Sequence, residues 1–503
     1  MKYLKYTTFI LLVSIVFLSC SEDYFDVNSS VTAPTTQSLE PQYRIKGAIE
    51  NMFTGVIYRG SREVLGITQH GAQNVANYYS ETWSSFLTTG SYFLWQNAYV
   101  YSLPNTADLI VLGEKHNSPN FIAVGKILRA YGFGTTTDQY GDIVFTETYD
   151  GVSSLNLTPE FETQKAVYQG IIEMLDEAIA QINQPSNIEL NANGGDVFYN
   201  GNKEQWTRLA YALKARYLNH LSKKASGDMA YDADAIIEAC SKALQSNADN
   251  AFRSYGGGEA ENDRQPYATG GYGSSRVDYF SHFFVELLKN SLDLDTPYED
   301  PRLKIIVPEA VNGGYQGVRI GEGPLPNNTD GGDNYSVGNG GFYTSPTAPT
   351  YLMTYSEVKY IEAEARLRKG DNSGAYTALK AGIQADFEKA EATGTETAAY
   401  LAKMDAEVGE AGITLSHIMI QKYITLLFDP ETWVDMRRMD YSNTIYPGLE
   451  RPVNVNLSIF PGSNDWIQAM VYEYNEEDRN YENMPDNTAN VRLTTPLWWN
   501  VAE

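Results

Sequence analysis

Apolar residues recur at helical spacing along several segments of this chain, and this pattern constrains the fold more than any other feature. One such segment carries the apolar residues Val167, Ile171, Ile172, Leu175, Ile179 and Ile182. Residues three and four apart lie on one face of an α-helix, so these side chains form a stripe that packs against another element. Thr158 and Pro159 precede the stripe and predict the N-cap and first residue of the helix, and Pro185 predicts its end.

Two further segments have the same spacing and predict two more helices. The first carries Trp206, Leu209, Ala210, Leu213, Tyr217, Leu218 and Leu221. The second carries Leu415, Ile418, Met419, Lys422, Leu426 and Leu427. Residues 255–276 and 312–349 are rich in Gly, Asn and Pro and predict long surface loops. The sequence therefore indicates a mainly α fold with long irregular loops.

Small residues also recur at a spacing typical of a tetratricopeptide helix pair. They are Ala363, Gly370, Ala375 and Gly382. Two helices that cross closely need small side chains at the crossing, which explains this spacing. The segment Trp206-Thr207-Arg208-Leu209-Ala210 resembles the opening of the same motif. Neither pattern repeats regularly, so we expect tetratricopeptide-like helix pairs within a larger helical fold.

The start of the chain has the pattern of a bacterial lipoprotein signal peptide. Lys2 and Lys5 precede an apolar run at residues 9–18, and Ser19 stands before Cys20. This run is too short to cross a bilayer as a mature helix. We therefore expect cleavage before Cys20 and attachment of lipid to its thiol, the alternative being a plain secretory signal with an incidental cysteine.

The residues after the cysteine indicate where the protein is held and how it is divided. Ser21-Glu22-Asp23 resembles the signal that sends lipoproteins of Bacteroidetes-type bacteria to the outer leaflet of the outer membrane. We expect residues 1–19 to be the signal peptide and residues 20–40 a lipid-anchored tether. Residues 41–503 are expected to form one helical ligand-binding domain.

The composition excludes several partners and cofactors. The net charge of −26 repels nucleic acid and anionic head groups, so we expect membrane contact only through the lipid on Cys20. Cys240 lies in a helical segment and is expected to be a buried, unreactive thiol. The five histidines lie far apart in the sequence, and no pair has metal-ligand spacing. We therefore predict no disulfide, no metal site and no cofactor.

No catalytic motif appears in the sequence. A nucleophile elbow, a phosphate-binding loop, a dinucleotide fingerprint and a zinc-binding helix are all absent, so no catalytic residue is predicted. The densest acidic cluster consists of Asp293, Asp295, Glu299 and Asp300. It lacks the turn-forming glycine of a calcium loop, and we expect it to be a solvated face.

Aromatic and amide side chains after the first helix of the folded domain predict a ligand site. The segment includes Gln69, His70, Asn74, Asn77, Tyr78, Tyr79, Trp83, Phe86, Tyr92, Phe93 and Trp95. Flat rings beside amide and imidazole groups suit a neutral polar ligand that stacks and accepts hydrogen bonds. We predict Asn74, Tyr78 and Trp83 as ligand-binding residues, followed by Tyr267 and Tyr272 in the first Gly-rich loop. Packing in the core is the alternative, and we favour it for Phe86, Phe93 and Trp95.

Seven segments in order carry a family resemblance. One is Tyr140-Gly141-Asp142-Ile143-Val144-Phe145-Thr146-Glu147, in which Val144 replaces the family's usual Pro. The others span residues 168–179, 200–206, 213–217, 300–303, 352–365 and 421–438. Together they resemble the SusD/RagB nutrient-binding lipoproteins of the Bacteroidetes outer membrane, and most closely the SusD-like subgroup.

This resemblance implies a fold and a function. It implies a SusD-type helical lid on a SusC-like TonB-dependent transporter, which captures a glycan or peptide at the cell surface without catalysis. Most motif residues are expected to be scaffold, and we expect Arg216, Glu364, Arg437 and Arg438 to form ion pairs between helices. A secreted glycan hydrolase and a structural tetratricopeptide adaptor of the outer membrane are the alternatives.

Overall fold

A computed structural model describes most of the chain. The described residues are 39–73, 92–151, 156–191, 195–260, 263–268, 277–322, 333–338 and 340–502. The helices in these ranges are α1 Ile45–Asn51, α2 Tyr58–Val64, α3 Tyr92–Gln96, α4 Leu103–Lys115, α5 Pro119–Tyr140, α6 Gln164–Gln181, α7 Lys203–His220, α8 Ala233–Lys242, α9 His282–Lys289, α10 Leu303–Ile306, α11 Tyr355–Lys369, α12 Asn372–Lys389, α13 Thr395–Glu407, α14 Gly409–Gly412, α15 Leu415–Thr425, α16 Glu431–Arg438, α17 Tyr474–Arg479 and α18 Ala489–Thr494. The predicted mainly α fold is confirmed.

Short strands and π-helical turns interrupt the helices. The strands are β1 Gly71–Ala72, β2 Ala251–Arg253, β3 Tyr279–Phe280 and β4 Thr350–Met353. Strand β1 pairs with β3 and β2 pairs with β4, both antiparallel. Two π-helical segments, Met52–Ile57 and Asn97–Ser102, join α1 to α2 and α3 to α4. None of the described helices is both long and apolar enough to cross a membrane.

The helix with the strongest predicted stripe forms, but it begins later than its sequence indicated. Helix α6 starts at Gln164, where the Thr163 hydroxyl accepts a hydrogen bond from the Ala166 amide. Before it, Ile143 and Glu162 exchange two backbone hydrogen bonds of 3.1 and 2.8 Å. This pairing keeps the chain extended up to Thr163, so the helix start predicted at Thr158 and Pro159 is wrong.

The predicted helix pair is formed by α11 and α12. Ala363 and Ala375 are fully buried, and Gly370 ends α11 with a positive φ of 86°. A Cβ atom at Gly382 would lie 2.6 Å from the ring of Tyr360. A larger side chain at this position would therefore push the two helices apart, which is the reason for the small-residue spacing in the sequence.

Buried ion pairs connect helices that are far apart in the sequence. Arg302 is fully buried, and its guanidinium bonds the Asp300 carboxylate at 2.9 and 2.6 Å, the Asp386 carboxylate at 2.5 Å and the Gln421 amide oxygen at 2.5 Å. Asp300 is thus a buried partner, and the expectation that it belongs to a solvated face is wrong. Asp300 stands two residues before Arg302 and also accepts a hydrogen bond from the Arg302 backbone amide. The acidic composition of the segment did not indicate this local pairing.

The remaining members of that acidic cluster, Asp293, Asp295 and Glu299, are exposed. The predicted interhelical pairs form for Arg216, which bonds Glu357, and for Arg438, which bonds Glu364 at 2.8 and 2.9 Å. Arg437 differs from the expectation. Its guanidinium donates to the backbone oxygens of Gln468 and Asp138 and lies 3.7 Å from the ring centroid of Trp433.

We predict that Arg302→Gln strongly destabilises the protein. Loss of the guanidinium leaves Asp300 and Asp386 buried with less compensation, which costs about 3–5 kcal/mol. The control is Arg319→Gln, because Arg319 is about half exposed and forms an ion pair with the exposed Glu450 at 3.0 Å. Its change should stay below about 1 kcal/mol. Urea unfolding of both variants measures the difference, and equal midpoints would contradict the role given to Arg302.

Candidate functional site

A cavity of about 630 Å³ opens between the first helices and the C-terminal part of the chain. Its lining side chains come from residues 95–104, 144–149, 156–159 and 475–480, and we name it the Trp95 cleft. This volume falls within the usual range for small-molecule sites. By volume, the cleft can hold a small sugar or a short peptide.

A π-helical turn places one wall of the cleft. Segment Asn97–Ser102 carries Tyr99 and Val100, and it packs against the first π-helical segment at Gly55. A Cβ atom at Gly55 would lie 2.5 Å from the Ser102 hydroxyl, so a larger residue would force the Ser102 side chain to move. π-Helical turns are often found at functional sites because they change the direction of side chains.

The aromatic side chains of this wall are held in place by hydrogen bonds. The Trp95 indole nitrogen donates to Glu476 Oε1 at 3.1 Å, and its ring stacks on Phe161 with an interplanar angle of 11°. The Tyr99 hydroxyl donates to the Val144 carbonyl at 2.7 Å. Trp95 is 4% exposed, in line with our preference for a core role, so its position supports the cleft more than it offers a free face.

The opposite wall joins two segments that are distant in sequence. The side-chain amide of Asn480 donates to the Pro159 carbonyl, and that of Asn483 donates to the Thr158 carbonyl, both at 2.8 Å. Thr158 and Pro159 therefore form a cleft wall instead of the helix start that the sequence suggested. Beside them, Leu157 is 75% exposed.

The cleft combines apolar side chains with hydrogen-bonding groups. Val100 and Leu157 expose large apolar surfaces, while Glu147 Oε2 accepts bonds from the Asn156 amide and the Glu160 backbone, both at 2.9 Å. The Tyr149 hydroxyl donates to Asp108 at 3.3 Å. Apolar faces beside fixed carboxylate and amide groups suit a sugar, which has apolar C–H faces and many hydroxyl donors.

Most of the predicted ligand-binding residues lie outside the described part of the chain. These are Asn74, Tyr78, Trp83 and Tyr272. The predicted lipid-attachment residue Cys20 also lies outside the described residues, and all of these assignments stay predictions. Tyr267 is described and is 5% exposed.

The surroundings of Tyr267 are closely packed. Its hydroxyl lies 2.6 Å from the Ser61 hydroxyl, and its ring lies 4.6 Å from that of Phe428. Burial raises the pKa of Tyr267 well above its ordinary value. The adjacent cavity of about 30 Å³ has room for about two water molecules. A ligand would therefore have to displace packed side chains to reach this ring.

Gln69 and His70, which belong to the same polar and aromatic segment, are buried in the core. The Gln69 amide donates to the Glu450 carbonyl at 2.7 Å. The His70 ring packs against Tyr423 at 4.6 Å, and its Nδ1 accepts a bond from the Phe428 amide at 3.2 Å. Burial lowers the pKa of His70 to about 3.

This low pKa predicts acid sensitivity. Below about pH 6.5 His70 binds a proton in the unfolded chain, whereas in the folded chain its ring stays neutral. The contribution of His70 to stability is therefore complete above that pH and is lost as the pH falls toward 3. Between pH 7.5 and about 5, the wild type should lose about 2 kcal/mol more unfolding free energy than His70→Phe. Parallel pH profiles of the two proteins would contradict a neutral, buried His70.

One buried cluster contains metal-ligand types, although the sequence spacing predicted no metal site. Asp138, His220 and Glu431 each offer an atom within 4.8 Å of the other two. However, His220 Nδ1 lies 2.8 Å from the Tyr168 hydroxyl, and Nε2 lies 2.8 Å from Glu431 Oε1. The two ring nitrogens point in divergent directions and both have partners, so the arrangement suits a hydrogen-bonded chain better than one ion.

The donors and acceptors of this hydrogen-bonded cluster can be assigned. The Tyr168 hydroxyl donates its single hydrogen to Asp138 Oδ1, so its oxygen accepts a hydrogen bond from His220 Nδ1. Burial raises the pKa of Asp138 to about 6. The Lys422 ammonium lies 3.5 Å from Glu431 and compensates its charge. We interpret the cluster as a structural network that joins α5, α6, α7 and α16.

Comparison with known families identifies the chain. A model of SusD-like proteins, described as starch-binding and associating with the outer membrane, matches residues 36–456. The chain belongs to this SusD-like family. The match covers most of the chain and confirms the family resemblance seen in the sequence motifs. No curated protein sequence matches the chain significantly.

Solved structures of SusD homologues have the same fold. A chitin-binding protein is 24% identical, with a TM-score of 0.72 over 92% of this chain and 100% of its own. A chitin-binding SusD homologue from Flavobacterium johnsoniae is 21% identical, with a TM-score of 0.72 over 91% and 98%. A SusD homologue from Bacteroides fragilis is 23% identical, with a TM-score of 0.70 over 92% and 100%. At these identities the similarity establishes the fold.

The SusD-like motifs lie mostly in the scaffold, as expected. Arg302 and Glu357 of the motifs form buried ion pairs, whereas Val144 and Glu147 of the first motif line the Trp95 cleft. The family match ends at residue 456, so the α17 wall of the cleft lies beyond it. Sequence reasoning missed this wall because no local pattern connects residues 475–480 with residues 156–159.

Proposed function

We propose that this SusD-like protein captures a glycan at the cell surface and delivers it to a partner TonB-dependent transporter, without catalysis. The observation that carries the proposal is the Trp95 cleft, whose 630 Å³ volume, apolar side chains and fixed hydrogen-bonding groups suit a sugar. Membership of a starch-binding family and the chitin-binding names of two structural relatives support a glycan over a peptide.

The N-terminal sequence supports the outer membrane as the location of this capture. A lipid on Cys20 would hold the protein at the outer membrane, and residues 28–38 would give the folded domain reach above the surface. Several acyl chains, as bacterial lipoproteins carry, anchor firmly, whereas one chain holds weakly. The proposed lid on a SusC-like transporter follows from the family resemblance. Recovery of a barrel-sized membrane protein with the native lipoprotein would support it, and its absence would count against it.

Binding in the cleft can be tested with exposed apolar residues. We predict that Val100→Ala with Leu157→Ala weakens binding of a chitin pentamer or maltoheptaose about 10-fold, or about 1.4 kcal/mol, because apolar contact area is lost. The control is Val453→Ala with Leu457→Ala. These residues are 59% and 64% exposed, compared with 57% and 75% for the cleft pair, and they lie outside the cleft.

Isothermal titration of both variants separates the outcomes. Equal weakening in the cleft and control variants would place the glycan elsewhere. Product analysis in the same samples addresses the hydrolase alternative, since saturable binding without cleavage is expected. The absence of any glycan or peptide binding would favour the adaptor alternative.

The site predicted from the sequence requires its own test. Tyr78→Ala with Trp83→Ala should weaken glycan binding at least 10-fold if these rings stack on the ligand, because stacking and area burial are both lost. Tyr335→Ala, at a half-buried tyrosine that packs on Tyr279, serves as the control. An affinity within two-fold of the wild type in the double variant would refute the placement of ligand contacts at these residues.

A further inference from the structure

The lining of the Trp95 cleft has more negative than positive side chains. Its lining includes Glu147 and Glu476 as carboxylates and Arg479 as the cation, which leaves one negative charge in excess. The surrounding layer does not reverse this excess. Asp108 is paired with Arg44 at 2.7 Å, and Glu162 bonds the Thr146 backbone and hydroxyl at 2.6 Å.

Two further charged groups belong to this layer. Arg129 is a cation that donates to the Leu103 carbonyl at 3.0 Å and to the Thr148 hydroxyl at 2.5 Å. Glu473 accepts a bond from the Asn475 backbone at 3.1 Å. Arg129 therefore offsets only one of the two carboxylates Glu162 and Glu473, and the cleft and its surroundings together stay negative.

Hydrogen bonds to one oxygen of each cleft carboxylate hold Glu147 and Glu476 in position before a ligand binds. Glu147 uses Oε2 to accept from Asn156 and from the Glu160 backbone, and Glu476 uses Oε1 to accept from the Trp95 indole. Within the described residues, Glu147 Oε1 and Glu476 Oε2 have no protein donor. Each carboxylate therefore has one oxygen left to accept from a ligand, at little further cost in side-chain entropy.

Arg479 could be read as a binding group for an acidic sugar, but the balance of charge opposes this. It stands at the exposed end of the short helix α17, where water and salt screen its charge. An acidic ligand would meet two carboxylates for one guanidinium, in a chain whose net charge is −26. A ligand with ammonium groups would instead find two oriented acceptors and a favourable field.

We propose that the Trp95 cleft selects glycans built from amino sugars with free ammonium groups, and that Glu147 and Glu476 determine this specificity. The inference rests on the proposed glycan-binding function and names the substrate class of the same cleft. Neutral sugars use the same apolar side chains and bind more weakly. Sugars with carboxylate or sulfate groups are discriminated against.

Three oligosaccharides of equal length test the order of affinity. They are a glucosamine pentamer, an N-acetylglucosamine pentamer and a galacturonic acid pentamer, measured by isothermal titration at about pH 5.5, where carboxylates are ionised. At about 20 mM salt we expect the cationic pentamer to bind at least 5-fold more tightly than the neutral one, and the acidic one most weakly. At about 500 mM salt this advantage should fall below 2-fold because the charges are screened.

Two variants with the same change in net charge assign the effect to the cleft. In the variant Glu147→Gln with Glu476→Gln, the new amide oxygen at position 476 can still accept the hydrogen bond from Trp95. The variant should lose the advantage of the cationic pentamer, while its binding of the neutral pentamer stays within 2-fold. Glu388→Gln with Glu410→Gln changes two exposed carboxylates on α12 and α14, outside the cleft, and should keep that advantage.

Each result supports or overturns the inference. Loss of the preference in the cleft variant alone supports it. A preference that survives in the cleft variant, or falls equally in both variants, overturns the assignment to Glu147 and Glu476. A neutral or acidic pentamer that binds as tightly as the cationic one overturns the substrate class but leaves the proposed function intact. If neither these pentamers nor maltoheptaose bind, the proposed function fails as well.

Discussion

Charged side chains buried between helices are the interaction on which the arrangement of this fold depends. Arg438 on α16 bonds Glu364 on α11 and Asp435 on its own helix, and Lys422 on α15 bonds Asp435 at 2.8 Å. A buried charge that loses its partner is strongly destabilising, so these helices can move relative to one another only at high cost. The pairs do not have to add net stability to have this effect, since breaking one of them leaves a buried charge without its partner.

The position of the cleft follows from this core. Asp138 near the end of α5 belongs to the buried network, and the chain leaves α5 at Tyr140 to form the cleft wall at residues 144–149. The Tyr472 hydroxyl donates to the Asp142 carbonyl at 2.7 Å, which brings the C-terminal segment alongside. The cleft is therefore built on elements whose own positions are held by buried polar groups.

The buried ion pairs and the C-terminal wall of the cleft lie in different parts of the chain. The buried pairs of Arg216 and Arg302 lie within the region matched by the SusD-like family, whereas α17 lies after it. Residues 475–480 of this later segment contribute Glu476 and Arg479 to the cleft. Changes at residues 475–480 can therefore alter the chemistry of the cleft without touching these buried pairs.

The sequence by itself identified α6, α7, α11, α12 and α15, because their signals are local. The stripe of α6 and the small residues of α11 and α12 act through neighbours three and four residues apart or through one helix crossing. Local signals failed at Thr158 and Pro159, where pairing between Ile143 and Glu162 overrides a good capping pattern. They failed again at Asp300, because burial of a carboxylate depends on partners such as Arg302 that composition does not place.

The candidate site was decided by the tertiary structure. Asn480 and Pro159 are joined by one hydrogen bond across 321 positions of the chain, and no periodicity or motif encodes such a contact. The sequence could identify aromatic and amide residues suited to a ligand, and Trp95 was correctly favoured as core. Only the folded chain brings residues 144–159 and 475–480 around one cavity, because a cleft is formed by the distances between packed elements.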